Sequence, residues 1–157
     1  LPGDPYPGYH AMAVTACMGH GDAKIVAELP AAFDPSKILF VGLRNWERGE
    51  IKARQHQYGI KHLTPEEVAA DSDALRAWLK SCGASKVVVH FDMDVLDPAE
   101  IVAAVGTDPD GMKIEAVIRV INDIAAEKEL VGLTVAEPMP RTAIRLRDML
   151  GRLPLLE

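Results

Sequence analysis

Asp92, Asp94 and Asp97 fall in the run Phe91-Asp92-Met93-Asp94-Val95-Leu96-Asp97-Pro98. Side chains alternate along an extended backbone, so Asp92 and Asp94 share a face with like charges a few ångströms apart. Such a pair calls for a cation beside it or for one shared proton. Asp97 before a proline reads as a turn opener, and Asp92 and Asp94 could simply cap the next segment, as Asp readily does. Their place directly behind an apolar strand favours chemistry for these two.

That strand is Lys86 to His90, a β-branched run that reads as fully buried. Ile38 to Leu43 is a second such run and ends in the polar cluster Arg44 to Glu50, while Leu130 to Ala136 is a third and ends in Glu137-Pro138. The carboxyl ends of strands in an open α/β sheet border the crevice where ligands bind. With the three strands parallel, Arg44 to Glu50, Asp92 to Asp97 and Glu137 are expected on one rim, as a single acidic site. His10 stands at a loop-to-helix boundary and His20 in the stop Gly19-His20-Gly21-Asp22, and spacing alone does not separate a catalytic histidine from a structural one.

The elements that hold these residues follow from hydrophobic spacing and turn chemistry. Leu1 to Tyr9 is rich in proline and glycine and reads as loop. The small apolar run His10 to Met18 predicts a buried helix, Ala23 to Leu29 a short helix, and Pro30 to Ser36 a loop. Glu50 to Tyr58 predicts a helix closed by Gly59, before a short strand at Ile60 to Leu63. Thr64-Pro65-Glu66-Glu67 has capping-box spacing and predicts a helix start. Leu75, Trp78 and Leu79 give Asp73 to Ser81 an apolar face, and Ile114, Val117, Ile118, Ile121 and Ile124 mark an amphipathic helix. Arg141 to Leu153 predicts a closing basic helix. Alternating strands and helices predict an α/β fold with a mainly parallel sheet covered on both faces.

The 157 residues, 48% of them hydrophobic, are enough for one domain with a real core. A net charge of −6 with scattered basic residues points away from nucleic acid and anionic membranes and toward a small-molecule partner. Cys17 and Cys82 lack CxxC spacing and suit a reduced, cytoplasmic setting, and no run reaches transmembrane length. The chain starts at Leu1, within a loop, and residues 1–157 are expected to form a single domain, the C-terminal two-thirds of a longer one whose first strands are missing.

His90-Phe91-Asp92-Met93-Asp94-Val95-Leu96-Asp97-Pro98 resembles the Ser-Phe-Asp-x-Asp-x-x-Asp-Pro signature of the ureohydrolases, the family of arginase, agmatinase and formiminoglutamase, with histidine for the usual serine. Gly42 to Glu50 is similar to the family's Gly-Leu-Arg-Asp-x-x-x-x-Glu segment, His10-Ala11-Met12 to its His-Gly-Met, and Val135-Ala136-Glu137-Pro138 to its strand ending in an acid before proline. The resemblance implies a three-layer α/β/α sandwich, two Mn²⁺ ions and hydrolysis of a linear C–N bond in a guanidino or amidino compound. By position, Asp92 would bridge both metals and Asp94 would bind one. Glu137 would pair with the cationic substrate, and His10 would shuttle a proton to the leaving amine. Relatives commonly form trimers or hexamers, so a homo-oligomer is expected.

The sequence departs from that pattern in three places. The family's other metal ligands come from a Gly-Gly-Asp-His and an Asp-x-His-x-Asp segment, and neither occurs here. Where arginases carry Ser-x-Asn before the histidine, this chain has Tyr6-Pro7-Gly8-Tyr9, which points away from arginine itself. The loop after Asp97-Pro98 reads Ala99 to Val105 in place of a proline- and glycine-rich one. Two other readings remain open: a catalytically incomplete ureohydrolase-like module, and a haloacid-dehalogenase-type phosphatase phosphorylated on Asp92.

Overall fold

Leu75 and Leu79, four apart on one helix, are each 1% exposed and anchor the core from the side that Asp73 to Ser81 predicts. In the computed structural model, which describes residues 8–139 and 143–156, the chain is an α/β protein. Its helices are α1 (Ala13–Cys17), α2 (Ala23–Ala27), α3 (Gly49–Tyr58), α4 (Asp73–Ser81), α5 (Ile114–Glu127) and α6 (Ala143–Leu150). Its strands are β1 (Leu39–Val41), β2 (Lys61–Leu63), β3 (Lys86–Asp92) and β4 (Glu129–Ala136). β1 pairs with β2 and β3 with β4, both in parallel, as the alternation of strand and helix predicts.

One core joins Leu75 and Leu79 of α4, six apolar residues of α5 including Val117 and Ile121, Leu146 and Met149 of α6, and Phe91 of β3. Val87, Val89, Leu130, Leu133 and Val135 pack against it from the strands. Burying the apolar stripe of α5 supplies most of the reason these helices form here, since helices of this length are marginal alone. Gly59 ends α3 in the left-handed region at φ 72° and Gly83 follows α4 at φ 70°, the stops that the sequence predicts.

Three expectations are corrected. His10 to Met18 is not one buried helix: a one-turn 3₁₀ helix, Tyr9–Met12, precedes α1, and no residue of α1 is buried, because its small side chains lie outside the core cluster. The capping box at Thr64 forms, with Thr64 N–H donating to Glu67 Oε2 at 2.7 Å and Glu67 N–H to Thr64 Oγ1 at 3.4 Å. It opens only the 3₁₀ turn Glu66–Val68, and α4 starts afresh after buried Ser72. Finally, β3 is not buried on both faces. Val87, Val89 and Phe91 meet the core, whereas Val88 is 55% exposed and His90 is exposed beside it. β-Branched residues on both faces give the strand a buried look that the packing fulfils on one.

Candidate metal centre

β3 ends at Asp92, and the chain turns at once into a 3₁₀ turn, Met93–Val95. The Asp92 carboxylate caps that turn, accepting from Asp94 N–H at 3.4 Å. Capping and clustering are therefore both roles of Asp92. In the register of β3 with β4, Asp92 stands opposite Ala136, which sets Glu137 beside it. Asp92, Asp94 and Glu137 each offer a carboxylate oxygen, and these oxygens lie within 4.8 Å of one another. The rim expected from the sequence is thus formed by the ends of two adjacent parallel strands.

Glu137 has φ 60°, a left-handed conformation that costs a side-chain-bearing residue about 1–2 kcal/mol. Glu47 (φ 54°) and Asp110 (φ 60°), on the loops at Arg44 and Asp108, are strained in the same way. Strain of this kind persists only where the surroundings impose it, and it gathers at functional sites.

The loop after Asp97 closes over the cluster. Asp97 itself is structural, as its place before proline predicts: it accepts from Ala99 N–H at 2.9 Å and from Lys113 Nζ at 2.6 Å. Met112 N–H donates to Val95 O at 2.8 Å and Asp97 N–H to Met112 O at 2.9 Å, pinning the loop's far end to the 93–97 turn. Gly111 permits this approach, since a Cβ there would lie 2.6 Å from the Leu96 and Asp97 backbone. Gly106 sits against the Asp94 carboxylate, and Met139 N–H donates to Ala103 O at 2.8 Å, tying the segment after Glu137 to the same loop.

β1 delivers Arg44. Gly42 takes φ 84°, and a Cβ on it would fall 2.7 Å from Met112 Sδ, so only glycine lets the end of β1 pass this close to the loop. Arg44 Nη2 then donates to Asp94 O at 2.9 Å and to Asp108 O at 2.7 Å, and its Nε donates to Pro109 O at 2.8 Å. Asn45 Nδ2 donates to Asp108 Oδ2 at 3.1 Å. The Arg44–Glu50 cluster was legible as part of the rim, but these contacts to backbone carbonyls carry no sequence signal.

Burial is the first cause that pushes the Asp94 carboxyl above its usual range, followed by the charges of Asp92 and Glu137; Arg44 acts in the opposite sense. Among the described residues no ion pair reaches Asp92, Asp94 or Glu137. Three hard oxygen donors, crowded and, among the described residues, without a direct ion-pair partner, are the donor set that a divalent cation such as Mn²⁺ or Mg²⁺ suits. The residues present therefore fit a metal. His10 falls in the 3₁₀ turn Tyr9–Met12, and its side chain lies outside the described residues. His20 stacks on Tyr58 with ring centroids 5.4 Å apart. His90 bonds Thr134 Oγ1 through Nδ1 at 2.7 Å, on the face of β3 that also carries Asp92.

A family model described as "Arginase family" matches residues 4–148. The chain is similar to the arginase of Entamoeba histolytica, 26% identical over 141 residues, covering 87% of this chain and 47% of that protein. The crystal structure of Entamoeba histolytica arginase in complex with L-ornithine superposes with a TM-score of 0.79 at 20% identity, over 89% of this chain and 48% of that one. The arginase of Bacillus cereus does so with a TM-score of 0.79 at 21% identity, over 96% and 55%. The chain thus spans about half the length of the relatives it matches.

Proposed function

The chain belongs to the arginase family, and from that premise we propose that it carries part of the active site of a manganese-dependent hydrolase of linear C–N bonds, acting on a guanidino or amidino compound. The observation that carries this reading is the meeting of Asp92, Asp94 and Glu137 oxygens within 4.8 Å, at the carboxyl ends of adjacent strands. Asp92 would bridge two ions and Asp94 would hold one of them. A two-ion set would need further ligands, since neither family segment that supplies them occurs in the sequence. Bound there, the ions would supply Lewis acidity, making water a competent nucleophile near neutral pH.

The protein's own groups then bind and hand over protons. Glu137 offers a planar carboxylate to the planar fork of a guanidinium or amidinium, a charge-assisted pairing that fixes the electrophilic carbon over the carboxylate cluster. Addition of water at that carbon is followed by cleavage of a C–N bond, and the departing amine needs a proton. His10 is assigned that transfer. The left-handed conformation of Glu137, directly after β4 and next to the segment tied by the Met139–Ala103 bond, supports such a role.

The substrate's tail would be read by the loop 99–107, where Val102 and Val105 are 50% and 74% exposed. A cytoplasmic protein assembling as a trimer or hexamer completes the reading. Both cysteines are free, and among the described residues no helix is long and apolar enough to cross a membrane. Family membership sets the phosphatase reading aside.

The test is turnover of a panel of guanidino and amidino compounds by the complete protein, with and without Mn²⁺. Release of urea or ammonia that requires Mn²⁺ is expected. Bound Mn²⁺ with no release from any of them would favour the catalytically incomplete module.

A further inference from the structure

Arg44 stands out among the charged side chains near the carboxylate cluster because, among the described residues, its hydrogen bonds go to main-chain oxygens: Asp94 O, Asp108 O and Pro109 O. One guanidinium thus bridges the turn that carries Asp94 and the loop that lies over it. These carbonyls come from segments separated by more than ten residues, and three rigidly spaced donors hold them in a fixed relation that a flexible ammonium cannot.

Arg44's own loop is anchored in turn. Trp46 Nε1 donates to Gln55 Oε1 at 2.5 Å, and Lys52 Nζ lies 4.6 Å over the Trp46 ring. The indole is a donor only, so it fixes the orientation of the Gln55 amide, which is 6% exposed. Gln55 Nε2 therefore donates, to Ile60 O at 3.0 Å and to His62 Nδ1 at 3.2 Å. The relay runs from β2 through α3 to the loop after β1 and ends at the backbone of Asp94.

We infer that Arg44 is a positioning residue for the metal ligand Asp94: it fixes the 93–95 turn against the 108–109 loop and so sets where the Asp94 carboxylate points. The inference rests on the two-ion reading above and adds a division of labour to it. Asp92 ends β3 and is held by the strand's own ladder with β4, whereas Asp94 lies two residues on, in the 3₁₀ turn, where the Asp92 cap holds its N–H and Arg44 its carbonyl. Loss of Arg44 therefore weakens the ion that Asp94 binds and spares the other. Partners of this kind, one shell beyond the ligands, typically control affinity by about 10- to 100-fold.

The experiment is a Mn²⁺ titration of the complete protein, read as free Mn²⁺ by electron paramagnetic resonance, for wild type, Arg44→Lys and Arg44→Met, with the thermal midpoint of each metal-free protein measured alongside. Two classes of site in wild type, one of them weakened about 10- to 100-fold in both variants and the other unchanged, is the expected result. Lysine keeps the charge without the fork, so its failure to rescue separates geometry from charge. Unchanged affinities, or equal weakening at both sites that tracks a lower thermal midpoint, overturn the inference. A wild type that binds no Mn²⁺ overturns the two-ion reading and the inference with it. Should neither Arg44 variant fold, Trp46→Phe decides: it keeps Arg44 but releases its loop from Gln55, and weakening of the same site by a smaller factor supports the role, whereas no change overturns it.

Discussion

Glu137 is the residue whose role geometry alone leaves two-sided, because a carboxylate within 4.8 Å of Asp92 and Asp94 can ligate a metal or face a cationic substrate. Glu137→Gln separates the two. An amide keeps the shape but cannot form the charge-assisted fork, so turnover is expected to fall by at least about 100-fold, the loss of roughly 3 kcal/mol of transition-state stabilisation, with Mn²⁺ stoichiometry unchanged. Loss of an ion would make Glu137 a ligand. The carboxylates were legible because their spacing behind apolar strands is unusual and specific. Arg44's attachment to Asp94 and the Trp46–Gln55–His62 chain were not, since a bond to a carbonyl leaves no trace in residue type, and a glutamine on a polar helix looks solvated until its burial is known.

The elements that bring those residues together depend on Gly42 and Gly111, where an added Cβ would meet its neighbours too closely. Gly42 combines φ 84° with contact to Met112, so Gly42→Ala is expected to lower stability by about 2–4 kcal/mol through the left-handed backbone and overpacking together, read as a shift of the denaturant midpoint at unchanged slope. An unchanged midpoint would show that the loop can move aside. Asp97 and Lys113 hold the same loop. The Lys113 ammonium, and then the Ala99 N–H, keep the Asp97 carboxyl below its usual range, and Asp97 raises Lys113. A lowered acid stabilises above its unfolded pKa and loses that contribution as pH falls through its folded value. A raised lysine loses its contribution only as pH rises through its own. Lys113→Met should therefore cost a constant amount between about pH 6 and 8, and the difference should shrink below about pH 4. A difference that grew in acid would refute the pairing.

Element positions were largely legible where the hydrophobic period is strong: α4 falls at Asp73–Ser81, and α5 and β4 within a residue of their expected starts. Legibility failed where tertiary packing outweighs local signals. The capping box at Thr64 is satisfied, yet only one turn follows, and α1 is short and unburied although its composition suits a core.

At the scale of the whole molecule, the parallel pairing of β3 with β4 and their shared core explain why an acidic chain gathers three of its carboxylates at one place. The face of β3 and β4 that carries Val88 and Val131, each about half exposed, lies opposite the one that packs on the core. The residues of the site are specified more completely than its surroundings, because the family resemblance rests on motifs and three of them fall at strand ends.

The most direct test is the amount of Mn²⁺ bound per chain by the complete protein and by its Asp92→Ala variant, measured by elemental analysis after equilibrium dialysis. Two ions per chain in wild type, and loss of both on removing the carboxylate that bridges them, is the result a binuclear site at Asp92 predicts. Equal Mn²⁺ content in the two proteins would contradict it.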